Sequence, residues 1–463
     1  MVSKPQMKSG RAKILLLLAL AGFWTFLARA TDTNVLVWQT QSNLVSADIR
    51  NEALWPLLED IAHQTGWHIF VEPGAAHIAS VKFSRLPPGE ALHKLLGALN
   101  YAFVPETNGP QQLYVFLTTM NNATQPVAAP PHQAALARHV PNQLMVKLKH
   151  GANIDALARE YGAKVVGRND KLGIYLLQFG DASATDAALG QLKTSSEVAA
   201  VEYNTILDAP PAPQLAPGVS AATPALTLNP PGTSGRVIVG LIDTPIQSLG
   251  SQLDQFILKQ ISVTGDTVTP DSSGPTHATA MAPTILNGIA AQGGSTSVQI
   301  LPVDVYGNSP TATMWNVALG VQAAVDGGAT VLNLSLGGTG DSSILSGVLQ
   351  QAIAEGIIVF AAAGNQPVAT PTYPAADPGV IAVAATQNGH LAPYSDYGSF
   401  ISLALPGTSA FNAWNQTWVV QGTSPATAFA SGIAAGSKSG TTMTWAQIVA
   451  AMEAKFPMPQ KSN

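Results

Sequence analysis

The run Val237-Ile238-Val239-Gly240-Leu241-Ile242-Asp243-Thr244 decides how the chain folds. Its uninterrupted apolar and glycine positions, with no polar alternation, read as a strand buried on both faces, and a carboxylate ends it. The same texture returns at Val298 to Val305, Thr330 to Leu336, Ile357 to Ala363 and Val380 to Ala385. Helical periodicity fills most of the gaps, at Thr311 to Val325 and at Ser343 to Glu355, where Gly356 is placed to end the helix. Such strands alternating with helices predict an α/β domain, a parallel sheet covered by helices on both faces. In open sheets of this kind sites form beyond the carboxyl ends of the strands. The polar residues at those exits are therefore the ones to weigh.

Asp243 stands at the first exit, Ser335 to Gly338 at another, and Gly364-Asn365 at a third. A carboxylate at a buried exit is costly without a partner, and a histidine is a natural one. After residue 150 the chain holds only His277 and His390. His277 opens the helical stretch His-Ala-Thr-Ala-Met-Ala, whereas His390 lies in a glycine-flanked loop and reads as surface. For a nucleophile, Gly422-Thr423-Ser424-Pro425-Ala426-Thr427-Ala428 follows the strand-like Trp418 to Gln421 and opens a helix of small residues. Free N–H groups and the positive dipole end at such a helix start favour a developing oxyanion beside Ser424. Pro425 suits the first helical position. Taken alone, a serine in that place is more often an N-cap.

The ordered set is more specific than any member. Asp243 in VIVGLIDT, His277 in HATAMA, then VLNLSLGG, FAAAGN, YPAADPGVIAVAAT, YSDYG, LPG and Ser424 in GTSPATAFASG resembles the subtilisin-like serine proteases over residues 235 to about 455. The resemblance implies a Ser-His-Asp division of labour. Ser424 would attack the peptide carbonyl, His277 take and return the proton, and Asp243 orient the imidazole. Asn365 would donate its amide to the oxyanion beside the Ser424 N–H. Ser335, Leu336 and Gly337 would form the edge that pairs with substrate backbone, Leu336 and Ala361 to Gly364 walling the side-chain pockets.

Four positions depart from the family pattern: Pro245, Ala278 and Pro283 stand where glycine is usual, and Pro425 loosens the motif after the nucleophile. Pro283 is expected to kink or shorten the helix of His277. An active enzyme is the reading favoured. The alternative is a catalytically weak or inactive subtilase-like envelope protein serving as a peptide-binding scaffold of a secretion or transport system.

Two Pro-rich, nearly uncharged stretches, Thr118 to Pro131 and Asp208 to Pro231, read as extended linkers. They set the expected organisation: residues 31-120 and 140-206 as two small α+β domains, linkers at 121-139 and 207-232, and a peptidase domain at 233-457. Between the linkers, NQLMVKLKHG, YGAKVVGRNDKLGIYLLQF and SSEVAAVEYN resemble the propeptide domain of subtilases, which implies a zymogen whose cleft is covered by its own leader. Self-cleavage is expected between Asn204 and Gly235. Upstream, DIRNEALWPLLEDIAHQTGWHIFVEPG and LPPGEALHKLLGALNYAFV resemble the secretin and TonB short N-terminal domain, implying an envelope partner for residues 44-116 in a Gram-negative cell. His63, His68, His77 and His93 there follow no metal-ligand spacing.

Composition closes off other classes. The chain of 463 residues has 22 Lys plus Arg against 27 Asp plus Glu, and a net charge of -5 gives no footprint for nucleic acid. With no cysteine there is neither a disulfide nor a thiolate nucleophile. Lys4, Lys8, Arg11 and Lys13 precede the apolar Ile14 to Ala28, and Ala28-Arg29-Ala30 ends a secretory signal peptide, placing the protein in the periplasm or outside the cell. No cofactor is expected. Structural calcium, common in the family, cannot be assigned, because Asp266, Asp271, Asp377 and Asp396 are scattered in loops and read as solvated.

Overall fold

The computed structural model describes residues 35–39, 44–65, 67–104, 112–127, 138–216, 218–219, 221–230, 236–265 and 274–459. The expected signal peptide, Asp266 and Asp271 lie outside them. The chain divides into two compact units, residues 1–130 and 131–463. Among the described residues no helix is long and apolar enough to cross a membrane.

In the first unit the Leu54–Thr65 helix buries Leu54, Leu57, Leu58 and Ile61, one stripe at helical spacing. The Pro88–Leu96 helix buries Ala91, Leu92, Leu95 and Leu96 against the same core. Strands Asn100–Val104, Gln112–Phe116, His68–Val71 and Gln125–Val127 make one sheet, and Val35–Gln39, Leu44–Ala53 and Ile78–Leu86 another. Gln125–Val127 corrects the linker expected at 121-139. It pairs antiparallel with His68–Val71 and buries Val127, an outcome that linker-like composition does not reveal.

The second unit begins with an antiparallel sheet in which Val198–Asp208, His139–Leu148, Ile174–Gln178 and Lys164–Asn169 lie side by side. Leu144, Val146 and Leu177 face the Ile154–Glu160 and Ala182–Leu192 helices. The alternate residues Met145, Ile174 and Leu176 face the other way, into a core shared with Trp315, Leu345 and Leu349 of the following domain. Gly167 is obligatory there, because a Cβ would lie 2.5 Å from the Trp315 ring.

The large sheet that follows runs Ile261–Ser262, Gln299–Asp304, Ile238–Asp243, Val331–Leu334, Ile358–Ala362 and Ile381–Gln387, all parallel, with Leu403–Pro406 also parallel to the last. Val239 and Leu241 point to a core containing Met281, Ile285 and Ala428, while Ile238 and Ile242 point to one containing Val317 and Val321. Burial on both faces is why these strands carry no polar alternation.

The helix expected at Thr311 to Val325 starts later, at Met314, and Thr311–Thr313 is an edge strand. Pro283 does not shorten its helix, which runs unbroken from His277 to Ala290. That helix crosses Thr423–Gly440 backbone to backbone: a Cβ on Gly432 would sit 2.1 Å from Ile285 O, and one on Gly288 2.4 Å from Phe429 O. Glycine at this crossing lets the histidine and serine helices pack in direct backbone contact.

Asp377 and Asp396 are buried rather than solvated, with 6% and 1% exposure. Burial pushes the Asp377 carboxyl up to about 6, against a bond from Ser346 that lowers it. Above that pH the folded protein holds a disfavoured charge; below the ordinary carboxylate range both states are protonated. Asp377→Asn is therefore expected to raise stability by about 1 kcal/mol at pH 8, discounted for partial screening, with the gain vanishing below pH ~4. Thermal unfolding at the two pH values measures it.

Candidate active site

Asp243 is the last residue of its strand and fully buried. His277 is the first residue of its helix, which Thr276 caps by accepting from Thr279 N. Imidazole Nδ1 lies 2.9 and 2.8 Å from the two Asp243 oxygens. The pair is closed off from water, at 2% and 0% side-chain exposure. Thr244 N also donates to Asp243 Oδ1 at 2.6 Å. The departures from the family pattern are built in without loss of this geometry: Thr276 Oγ1 donates to Pro245 O at 2.6 Å, and Ala278 N donates to Thr244 Oγ1 at 3.0 Å. His277 Nε2 is buried and has no hydrogen-bond partner among the described residues.

Ser424 is the second residue of the Thr423–Gly440 helix, with Gly422 at the cap in a left-handed conformation (φ 146°) that favours glycine. Pro425 consequently occupies the third helical position rather than the first, still within the turn whose N–H groups have no intrahelical acceptor. Ser424 Oγ donates to Ser335 O at 3.2 Å, and Ser335 Oγ donates to Ser424 O at 3.1 Å. Asn333 Nδ2 donates to Ser335 Oγ, and Ser431 Oγ to Asn333 Oδ1, so a polar chain ties strand and helix together.

Asn365 Oδ1 accepts from Thr423 N at 2.8 Å and Thr423 Oγ1 at 3.1 Å. Its oxygen is thereby pinned at the serine helix, which turns its amide nitrogen toward Gly422: a Cβ there would lie 3.0 Å from Nδ2. Thr423 and Asp396, neither of them assigned a role from sequence, hold this loop. Thr423 also accepts from Gly364 N at 3.2 Å. Asp396 accepts from Gln366 N at 2.7 Å and from Thr372 Oγ1 at 3.0 Å, and its own N–H donates to Gly364 O. Burial raises the Asp396 carboxyl above its ordinary range despite these donors. Gly364, at φ 115°, has no room for a side chain, since a Cβ would stand 2.1 Å from Asp396 Oδ2.

A cavity of about 360 Å³ opens beside this loop, lined by Gly337, Gly338, Gly364, Asn365, Thr372 and Asp396 among others. Leu336, expected as a pocket wall, is instead 4% exposed and packed into the core. His390 is exposed and distant in role, in a two-residue strand beside Leu391.

The cleft carries part of the same chain. The Val198–Asp208 strand runs past its own sheet, pairing Ile206, Leu207 and Asp208 antiparallel with Thr313, Ala312 and Thr311. Ala209 N donates to Pro310 O at 2.8 Å. Glu202 reaches the start of the Ser343–Ala354 helix, where it takes donors from Ser342, Ser343 (2.8 Å) and Ile344 N (3.4 Å). A carboxylate there meets free N–H groups and the positive dipole end. Burial nevertheless raises its proton affinity. The stretch Asp208 to Pro231, expected as a free linker, is tied down again where Gln214 and Leu215 pair with Val419 and Trp418 and where Thr227 and Leu228 pair with Ser295 and Thr296.

A parallel α/β sheet with a buried carboxylate–imidazole pair and a serine at a helix start is an arrangement compatible with serine hydrolase chemistry. The subtilase family profile matches residues 234–458, and the fervidolysin N-terminal prodomain profile matches residues 125–204. The chain is 35% identical to thermitase of Thermoactinomyces vulgaris over 204 residues, 42% of this chain and 72% of the relative. It is 32% identical to Subtilisin Savinase of Lederbergia lenta over 47% of this chain and 82% of the relative, and spans 58% of M-protease of Shouchella clausii. The crystal structure of fervidolysin from Fervidobacterium pennivorans, at 18% identity, superposes with a TM-score of 0.52 over 67% of this chain and 57% of that one, a likeness of fold. The chain belongs to the subtilase family: it is a subtilisin-like serine endopeptidase carrying a prodomain.

Proposed function

We propose that this enzyme is made as a zymogen and hydrolyses peptide bonds in extended segments of protein with Ser424, His277 and Asp243 as its triad. The observation that carries the reading is the buried Asp243–His277 pair with Nε2 left free. Asp243 holds the tautomer with the proton on Nδ1, which makes Nε2 a base. When substrate displaces the docked leader, the Ser424 hydroxyl turns from Ser335 O to Nε2 and gives up its proton as Oγ attacks the carbonyl. The oxyanion forms between the Ser424 N–H and the Asn365 amide. His277 then passes the proton to the leaving nitrogen, and water repeats the sequence to free the acid. Ser335 and Gly337 supply the backbone edge, with Leu336 holding that edge from within the core.

An intact pair of this kind weighs against the non-catalytic scaffold reading, which needs no buried carboxylate behind its histidine. A periplasmic or secreted location is supported by the basic and apolar leader before Thr31, and an envelope partner in a Gram-negative cell by the element order of residues 44-116. Matured wild-type protein is expected to react with a fluorophosphonate probe and Ser424→Ala, treated in the same way, not to. Equal labelling of both would remove Ser424 from the mechanism.

A further inference from the structure

The leader does more than lie on one edge of the cleft. Its chain leaves the Thr311–Thr313 edge at Ala209 and is next held at Gln214 and Leu215, against the strand that runs through Gln421 into the Ser424 helix. Four residues, Pro210-Pro211-Ala212-Pro213, make the crossing. Pro213 is buried, and Pro211 and Ala212 line a second cavity of about 280 Å³ with Thr408, Val419, Val420 and Gln421. On the other side Tyr306 Oη donates to Asp208 O at 3.3 Å, and the residue before that tyrosine, Val305, donates its N–H to Asp243 O at 3.1 Å. The segment between these two anchors thus passes between the surroundings of Asp243 and those of Ser424.

We infer that Ala209 to Pro213 is a strap across the catalytic residues that Ser424 does not cut, so that latency ends only when a bond outside the strap is broken, by another molecule. The inference rests on Ser424 as the nucleophile. Hydrolysis forms an Oγ–C bond, breaks the C–N bond and requires His277 to deliver its proton to the leaving nitrogen. In Ala209–Pro210, Pro210–Pro211 and Ala212–Pro213 that nitrogen is a ring nitrogen: its Cδ occupies the space a hydrogen would leave, and the locked φ removes the freedom to turn its lone pair. In the remaining bond, Pro211–Ala212, the acyl residue has no N–H to give to the cleft edge. Ser335 O instead takes its bond from Ser424 Oγ, which keeps the hydroxyl turned from Nε2. The same strand pairing that presents a substrate here presents bonds shaped against turnover, which narrows the self-cleavage expected between Asn204 and Gly235.

The test uses four full-length proteins: wild type, Ser424→Ala, Pro210→Ala/Pro211→Ala, and the triple variant, each incubated at two concentrations and read by intact mass. The wild type is expected to show no cut between Ala209 and Pro213. The double variant is expected to cut itself there at a rate independent of concentration, roughly 100-fold above any wild-type rate, the penalty a misplaced reacting group imposes, and the triple variant not at all. A wild type that cuts itself inside the strap at a concentration-independent rate overturns the inference. So does a double variant that stays whole there while its Ser424 reacts with a fluorophosphonate. If wild-type protein freed of its prodomain by an added protease does not react with the probe, the assignment of the nucleophile fails, and the strap falls with it.

Discussion

Ser424→Ala and His277→Ala are each expected to lower peptide hydrolysis by the matured enzyme about 10⁶-fold, a magnitude known for subtilisin, and the double variant is expected to be no slower than either. The reason for non-additivity is the one proton transfer that both residues would share. Without His277 the Ser424 proton has no acceptor, and without Ser424 the buried Nε2 has no proton to take. His390→Ala, at an exposed position, leaves the rate unchanged. Initial rates on one peptide substrate, with Tm recorded for each variant, give all four values; a His390 effect larger than the His277 effect would reassign the base.

Asp243→Asn is expected to leave the fold intact and reduce kcat by about 10⁴-fold. Both carboxylate oxygens lie within 2.9 Å of Nδ1, so an amide there can donate to Nδ1 and stabilise the tautomer with the proton on Nε2. That tautomer has no lone pair on Nε2 with which to take the Ser424 proton. The loss is expected at neutral pH and to shrink at high pH, where hydroxide competes for the proton. An Asn variant within tenfold of wild type at pH 7 would mean that Asp243 does not set the tautomer.

The parts of this site that the sequence discloses are those whose chemistry is local. Asp243 can be recognised because an apolar strand ends on it, and Ser424 because Gly422 and a run of small residues mark a helix start. The parts that stay hidden depend on partners far along the chain. Asp396 holds the Asn365 loop from 30 residues away, and the YSDYG motif that contains it does not reveal that its carboxylate is buried. Glu202 reads as one more polar residue at a strand end, because its partner Ser343 lies 141 residues further along the chain. The proline-rich stretch after Asp208 misleads for a related reason. Low charge and many prolines describe a chain that forms no structure with itself, and the edges that hold it belong to Gln416–Gln421 and Ser295–Thr296. Thr311 to Thr313 merges with the helical pattern after it because a three-residue edge strand has too few positions to show its period.

The central claim, that Ser424 activated by His277 and Asp243 is the nucleophile, is tested most directly by trapping the acyl-enzyme. Matured protein is mixed with an activated peptide ester, quenched in acid within the first turnover and digested for mass analysis. The mechanism predicts one acyl group per chain, on the peptide containing Ser424, and none in Ser424→Ala or, on the same timescale, in His277→Ala. An acyl group on another residue, or undiminished acylation of His277→Ala, would contradict it.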